Sequence, residues 1–191
     1  MRADAMDHYL DIHLLPDPEF SAPHLMNALF AKLHRILGTR GSDDIGISFP
    51  GARGRPTGLG SSLRLHGSGE ALRHLMAQAW LAGMRDHVRC ADIGRIPESA
   101  GYLTVRRIQA KSNPERLRRR QMKRKGWTAE QARAAIPESV AETLALPFLT
   151  VRSASTGQMF RLFIEQKPAE QPNAGRFNAY GISNEASLPS F

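Results

Sequence analysis

The order of strand-like and helix-like segments in the first half of the chain is the feature that most constrains its fold. Residues 9–14 alternate between apolar and polar side chains, which is typical of a strand with one buried face. Apolar residues then recur at helical spacing over residues 23–37, and Gly38 can end that helix. In chain order, the pattern predicts a strand at 9–14, a helix at 23–37, strands at 45–49 and 63–66, a helix after Ser68 and a strand near 87–93. The predicted order is therefore β-α-β-β-α-β.

This order predicts an α+β protein whose N-terminal domain, residues 1–97, has the ferredoxin-like arrangement of RNA-recognition domains. In that arrangement, right-handed crossovers place both helices on one face of an antiparallel sheet. The arrangement alone does not identify a function. The sequence has no basic-aromatic string of the kind that stacks single-stranded bases on such a sheet, so an ordinary RNA-recognition domain fits poorly. We therefore expect the specificity to reside in residues 98–191.

The second region is predicted to be an α/β region with a basic helix and a β-hairpin. Pro114 suits the first position of the helix, and Gly126 can end it. The turn-forming residues 153–157 separate two apolar stretches, which is the pattern of a hairpin. The predicted strands are 102–110, 148–152, 159–165 and 176–182.

The positive charge of the chain is concentrated in one segment. Lys and Arg exceed Asp and Glu by 26 − 18 = 8 over the 191 residues. Residues 106–125 alone hold ten basic side chains and one acid, Glu115, so this segment carries +9 and the remainder 16 − 17 = −1. A local excess of this size indicates a polyanionic partner.

The basic residues of the predicted helix gather on one side. At 100° per residue, five of them fall within a face about 140° wide. These residues are Arg116, Arg119, Arg120, Lys123 and Arg124. A solvated charged face is the usual meaning of such a run, but solvated faces commonly mix Glu with Lys. Membrane-surface and calmodulin-target helices need a strong apolar face, which this helix lacks. We therefore expect nucleic-acid binding, and charge alone does not separate DNA from RNA.

Cysteine and histidine usage predicts a cytoplasmic protein without metal or cofactor. The single cysteine, Cys90, forms neither an internal disulfide nor a multi-cysteine zinc site. No apolar run approaches the roughly 18 residues that suggest a membrane span, so no membrane partner is expected. Residues 1–6 lack the apolar stretch of a signal peptide. Apart from His34, considered below, the histidines are scattered without paired ligand spacing.

Several linked strings resemble the subtype I-F CRISPR-associated endoribonucleases, which cut precursor CRISPR RNA at its repeat hairpin. The strings are residues 6–11 (MDHYLD), 107–120 (RIQAKSNPERLRRR), 152–158 (RSASTGQ) and 160–163 (FRLF). The resemblance extends from Met6 to Phe191. It implies a ferredoxin-like domain followed by a region with an arginine-rich helix, which is the organisation that the residue patterns predict independently.

The resemblance implies three catalytic residues. His34 matches the general base, Ser153 matches the serine that constrains the attacking 2′-hydroxyl, and Tyr180 resembles the tyrosine that positions the histidine. Histidine suits the role of base because its ordinary pKa lies near neutrality. The implied reaction needs no metal and leaves a 2′,3′-cyclic phosphate and a 5′-hydroxyl. Without the resemblance, the three residues read as a helix-edge histidine, a turn serine and a strand tyrosine.

The resemblance also implies an RNA-binding set. Arg107 and Gln109 correspond to readers of base pairs near the cut, Arg119 and Arg120 to the main major-groove contacts, and Phe160 to an aromatic that stacks under the terminal base pair. Lys123 stands where an arginine is expected, so a planar two-point contact becomes a point charge. The full set is Arg107, Gln109, Lys111, Arg116, Arg119, Arg120, Lys123, Arg124, Ser155, Thr156 and Phe160.

The implied partners are the CRISPR repeat stem-loop and other subunits of the type I-F surveillance complex, with the protein remaining on its product RNA. A second interpretation is a catalytically silent subunit that binds the RNA hairpin and caps the guide RNA. The chemistry of the product distinguishes the two, whereas binding does not.

Overall fold

The computed structural model of the protein describes residues 6–52, 58–109, 114–137, 144–153 and 157–191. The chain forms two compact units. The larger unit runs through Arg107 and resumes from Leu146 to Phe191, and the smaller unit is Ile108–Ala145. The larger unit thus includes the C-terminal hairpin together with the N-terminal elements. The domain boundary after residue 97 stays a prediction.

The larger unit contains most of the secondary structure. Its helices are α1 (Ala22–Arg40) and α2 (Gly69–Met76), with one 3₁₀ turn (Arg85–His87). Its strands are β1 (His8–Leu14), β2 (Gly46–Ser48), β3 (Ser62–Gly67), β4 (Val88–Cys90), β5 (Gly94–Arg95), β6 (Gly101–Ile108), β7 (Phe148–Arg152), β8 (Met159–Ala169) and β9 (Ser187–Ser190). The smaller unit holds α3 (Pro114–Lys125) and α4 (Ala129–Ala135).

The first sheet has the strand order β2-β3-β1-β4, with β5 also pairing with β1. Each of these pairs is antiparallel. The alternation predicted for β1 is confirmed, since Leu10, Ile12 and Leu14 are buried. The buried side chains of α1 recur at helical spacing, from Leu25 to Leu37. The protein is therefore of the α+β class with antiparallel sheets.

The second sheet has the order β7-β8-β6-β9. Strands β7 and β8 pair antiparallel, which confirms the predicted hairpin. The last strand was placed wrongly by the sequence pattern: the pairing strand is β9, and residues 176–182 are not a strand. The side chain of Asn178 accepts a hydrogen bond from the backbone N–H of Tyr180, and Gly181 has a φ of 70°. These local features turn the chain instead of extending it.

On the face of the first sheet that carries Asp11 and Arg64, side chains of the protein contact one another. Arg64 donates two hydrogen bonds to the Asp11 carboxylate, at 2.7 and 2.8 Å. Its guanidinium carbon lies 4.0 Å from the ring centroid of Phe191 and 4.7 Å from that of Tyr9. The rings of Tyr9 and Phe191 on this face therefore each have a cationic side chain as a neighbour.

His66 lies on the same face and is completely buried. Its Nε2 is 2.8 Å from the Ser48 hydroxyl. Burial lowers the pKa of His66 from 6.5 to about 3, and the positive charge of Arg64 acts in the same direction. The folded protein therefore keeps this imidazole neutral at pH values where the unfolded chain protonates it.

We expect the free energy of unfolding to fall as the pH falls from about 6.5 toward about 3, because the unfolded state then binds a proton that the folded state does not. A full proton difference gives a slope of about 1.4 kcal/mol per pH unit. His66→Gln should remove this part of the dependence. Urea unfolding of both proteins at several pH values measures it, and parallel pH profiles would contradict the assignment.

Candidate functional site

His34 lies near the C-terminal end of α1 and is half-buried. The helix starts after Ser21 and has Pro23 in its first turn. It continues past Gly38, which was expected to end it, and ends at Gly41, whose φ of 63° gives a left-handed cap. The Nδ1 atom of His34 is 2.8 Å from the backbone oxygen of Ala179. A carbonyl oxygen only accepts hydrogen bonds, so in the neutral ring Nδ1 carries the proton and Nε2 has the free lone pair. This is the arrangement that a general base requires.

Tyr180 stacks on the His34 ring. The two ring centroids are 4.2 Å apart and the planes differ by 11°. The buried ring of Phe30, one turn earlier on α1, is nearly parallel to both, at 6.4 Å from His34 and 6.3 Å from Tyr180. The structure thus brings together two of the residues that the resemblance assigns to catalysis and holds the imidazole between an aromatic contact and a hydrogen bond.

Ser153 follows the last residue of β7 and is half-buried. Its backbone N–H donates to the Gln158 carbonyl at 2.8 Å, and its own carbonyl accepts from Gly157 at 2.9 Å. These bonds fix the serine at the start of the hairpin turn. The turn residues Ser155 and Thr156 lie outside the described residues, as does Lys111 of the predicted RNA-binding set.

Helix α1 and strand β7, which carry His34 and lead to Ser153, pack against each other. The side-chain oxygen of Asn27 on α1 accepts a hydrogen bond from the backbone N–H of Thr150 on β7, at 2.9 Å. His34 is seven residues after Asn27, which is about two helical turns and hence the same side of the helix. Sequence reasoning missed Asn27, because an asparagine on a helix shows no pattern that identifies a distant backbone partner.

Arg107 on β6 and Phe160 on β8 form a second pair. The guanidinium carbon of Arg107 lies 5.4 Å from the centroid of the Phe160 ring, within the range of a cation–π contact. Both side chains are half-buried. The ring of Phe160 therefore has a cationic neighbour and retains solvent-accessible surface, as a base-stacking residue needs.

The basic side chains predicted to share a face of α3 are all exposed: Arg116, Arg119, Arg120, Lys123 and Arg124. Nη2 of Arg119 lies 3.8 Å from Oε1 of Glu115, a long ion pair between side chains that are 82% and 79% exposed. Ion pairs between side chains this exposed contribute little to stability. Arg119 can therefore release Glu115 and bind an anionic ligand that holds it more strongly. Gln109, which also belongs to the smaller unit, is exposed as well.

The opposite side of α3 contacts α4. Arg118 donates from Nε to the carbonyl of Ile136 at 2.8 Å, and Ala132 of α4 is completely buried. Thr128 and Gln131 form a capping box at the start of α4, with both reciprocal hydrogen bonds present. The side chain of Arg118 therefore supports the helix pair, whereas the five residues of the basic face are exposed.

The described residues hold neither a cluster suited to a metal ion nor a helix suited to a membrane. In that part of the chain, no group of three or more His, Cys, Asp and Glu side chains is arranged to hold a metal ion. None of the described helices is both long and apolar enough to cross a membrane.

Comparison with known proteins identifies the family of this chain. Residues 9–191 match the family model of the CRISPR-associated protein (Cas_Csy4). The chain belongs to this family. Similar curated members of the Cas_Csy4 family include two proteins named CRISPR-associated endonuclease Cas6/Csy4. The one from Pseudomonas aeruginosa (strain UCBPP-PA14) is 50% identical over 187 residues, and the one from Escherichia coli (strain UTI89 / UPEC) is 48% identical over 188 residues. Each alignment covers 97% of this chain and 100% of the relative, so the resemblance predicted from the sequence is confirmed.

Proposed function

We propose that this chain cuts precursor CRISPR RNA at the base of its repeat hairpin, with His34 as the general base. The family match and the two relatives confirm the prediction of a CRISPR-associated endoribonuclease. The observation that carries the mechanistic part is the 2.8 Å contact of His34 Nδ1 with the Ala179 carbonyl, which leaves Nε2 as the proton acceptor.

In the proposed reaction, Nε2 of His34 removes the proton from the 2′-hydroxyl upstream of the scissile phosphate. The resulting oxygen attacks the phosphorus in line, the bond to the 5′-oxygen of the next nucleotide breaks, and that 5′-oxygen takes up a proton. The products are a 2′,3′-cyclic phosphate and a 5′-hydroxyl. Ser153 constrains the attacking ribose, and Tyr180 holds the imidazole in place. Because the nucleophile belongs to the RNA and the base to the protein, the step uses no metal ion.

The basic face of α3 is proposed to bind the stem of the hairpin. The major groove of A-form RNA is normally too deep and narrow for side chains to read. A short stem relaxes this limit near its ends, where the groove opens into the loop. Arginine side chains entering there can contact phosphates and also the O6 and N7 atoms of guanine. The exposure of all five basic residues supports this role.

Arg119→Ala or Arg120→Ala should weaken hairpin binding by about 1–3 kcal/mol if the residue reads a guanine edge, and should reduce discrimination against altered stems. If Lys123 contacts only phosphate, Lys123→Ala should weaken all hairpins alike and lower the salt dependence by about one unit of slope. Titrations of matched and altered stems at several salt concentrations measure both effects. Arg73→Ala, on the exposed side of α2, is the control for loss of one charge. If the three α3 variants bind like this control, the RNA binds elsewhere.

Three further residues are proposed to contact the RNA near the cut. Phe160 stacks under the terminal base pair, and Arg107 and Gln109 read base pairs beside it. The cation–π contact at 5.4 Å supports a joint role for Arg107 and Phe160.

The strand order β2-β3-β1-β4 supports a ferredoxin-like arrangement of the first sheet and its helices. We also propose that the protein retains its product and joins other subunits of a type I-F surveillance complex.

The alternative is a silent subunit that binds the hairpin without cutting it. A cleavage assay distinguishes the two alternatives. In this assay the purified protein is mixed with the host's own CRISPR repeat RNA in a buffer with excess EDTA. The proposal predicts cleavage at one phosphate at the base of the stem. Tight binding of RNA that stays intact under these conditions, and also with added Mg²⁺, would favour the silent subunit.

A further inference from the structure

We propose that Asn178 is a positioning residue for cleavage: its side chain holds the turn 178–182, and the Ala179 carbonyl on that turn fixes His34 with Nε2 as the proton acceptor. The inference rests on the proposed function and deepens it, because it names what sets the state of the general base. Asn178 acts through Ala179 and Tyr180, and its own contacts are with the backbone of the turn.

The side chain of Asn178 organises the turn directly. Its Oδ1 accepts hydrogen bonds from the backbone N–H groups of Tyr180, at 2.8 Å, and Ile182, at 3.5 Å. The backbone N–H of Asn178 donates to the Ile182 carbonyl at 3.1 Å, and its carbonyl accepts from Gly181 at 2.8 Å. One residue is therefore involved in four hydrogen bonds that close a five-residue turn. An Asx-type turn of this kind depends on a side-chain oxygen at this position.

The turn is attached to the core on both sides of Tyr180. The carbonyl of Gly181 accepts from the Ile47 N–H of strand β2 at 2.8 Å, and Phe177 donates to the Asp43 carbonyl at 3.1 Å. Gly181 has a φ of 70°, and a Cβ atom there would lie 2.7 Å from Cγ2 of Ile47. These contacts hold the chain at Phe177 and at Gly181, so the placement of Ala179 and Tyr180 between them depends on the hydrogen bonds within the turn.

The position of that oxygen decides which nitrogen of His34 carries the proton. A neutral imidazole has one N–H group, and the tautomer follows the hydrogen bond that the ring makes. At 2.8 Å from a carbonyl oxygen, an unprotonated Nδ1 would place two lone pairs against each other. The ring also stacks on Tyr180 at 4.2 Å, which limits rotation away from the carbonyl. Loss of the Asn178 side chain releases both contacts together, because the turn carries both residues.

Two substitutions separate positioning from mere folding. Asn178→Ala removes the acceptor, and Asn178→Asp keeps an oxygen that can accept the same backbone N–H bonds. With saturating RNA in single-turnover reactions, we expect Asn178→Ala to slow cleavage by roughly 10- to 100-fold, the scale that a misplacement of about 1 Å can cause. Asn178→Asp should stay within about threefold of the unchanged protein, and neither variant should alter hairpin affinity by more than about threefold. Asn184→Ala, at an exposed position beyond the turn, is the matched control and should cut normally.

The tautomer of His34 provides a second, independent readout. Long-range ¹H–¹⁵N correlation spectra of the histidine-labelled protein at alkaline pH should show Nδ1 protonated in the unchanged protein and in Asn178→Asp, and a mixture in Asn178→Ala. Normal cleavage and an unchanged tautomer in Asn178→Ala would overturn this inference. So would slow cleavage in both variants with the tautomer unchanged. The proposed function is tested separately, because it fails if His34→Ala cuts normally, whatever the Asn178 variants do.

Discussion

His34→Ala is expected to slow cleavage of the repeat hairpin by about 10²–10⁴-fold, the usual contribution of a general base. Hairpin affinity should change little, because the base acts on the proton that leaves in the transition state and not on the bound ground state. Single-turnover cleavage and equilibrium binding, measured with the same RNA, separate the two quantities.

His24→Ala is the matched control for this variant. His24 lies on the same helix, near its N-terminal end, and its ring stacks on Phe20 at 5.4 Å. It should cut at the rate of the unchanged protein. If His34→Ala cuts as fast as this control, His34 is not the base, and a tenfold or greater loss of affinity in His34→Ala would indicate a binding role instead.

The second large effect concerns the RNA. A repeat hairpin with a single 2′-deoxyribose just upstream of the scissile phosphate should bind normally and yield no product at that phosphate. The missing hydroxyl is the nucleophile, and the protein offers no other nucleophile in the proposed reaction. A hairpin with the 2′-deoxyribose placed one nucleotide further upstream is the control and should be cut. Cleavage of the first hairpin at the usual phosphate would exclude attack by the 2′-hydroxyl.

Local patterns predicted much of the fold. The alternation of Leu10, Ile12 and Leu14 and the spacing of α1 depend on burial of one face, so they are visible in the sequence itself. The basic face of α3 was equally visible, because five like charges on one side of a helix need only the helical period. The hairpin of β7 and β8 was predicted from the turn-forming residues between the two strands.

The turn formed by residues 178–182 was not predicted in this way. Residues 176–182 look like a strand, but Asn178 bonds to its own following backbone and Gly181 adopts a positive φ. The contact of His34 with this turn joins residues from opposite ends of the chain, and no periodicity encodes it. The pairing of His34 with Tyr180 was anticipated only through the family resemblance. Charge counting likewise did not distinguish Arg118, which bonds to Ile136, from the arginines that face solvent.

The chemical groups at the product ends test the proposed attack by the 2′-hydroxyl most directly. Repeat RNA cut by the purified protein in excess EDTA can be analysed by mass spectrometry of both fragments. Attack by the 2′-hydroxyl predicts a 2′,3′-cyclic phosphate on the upstream fragment and a 5′-hydroxyl on the downstream fragment. A 3′-hydroxyl and a 5′-phosphate, or a requirement for a divalent ion, would contradict the proposed attack by the 2′-hydroxyl with His34 as base.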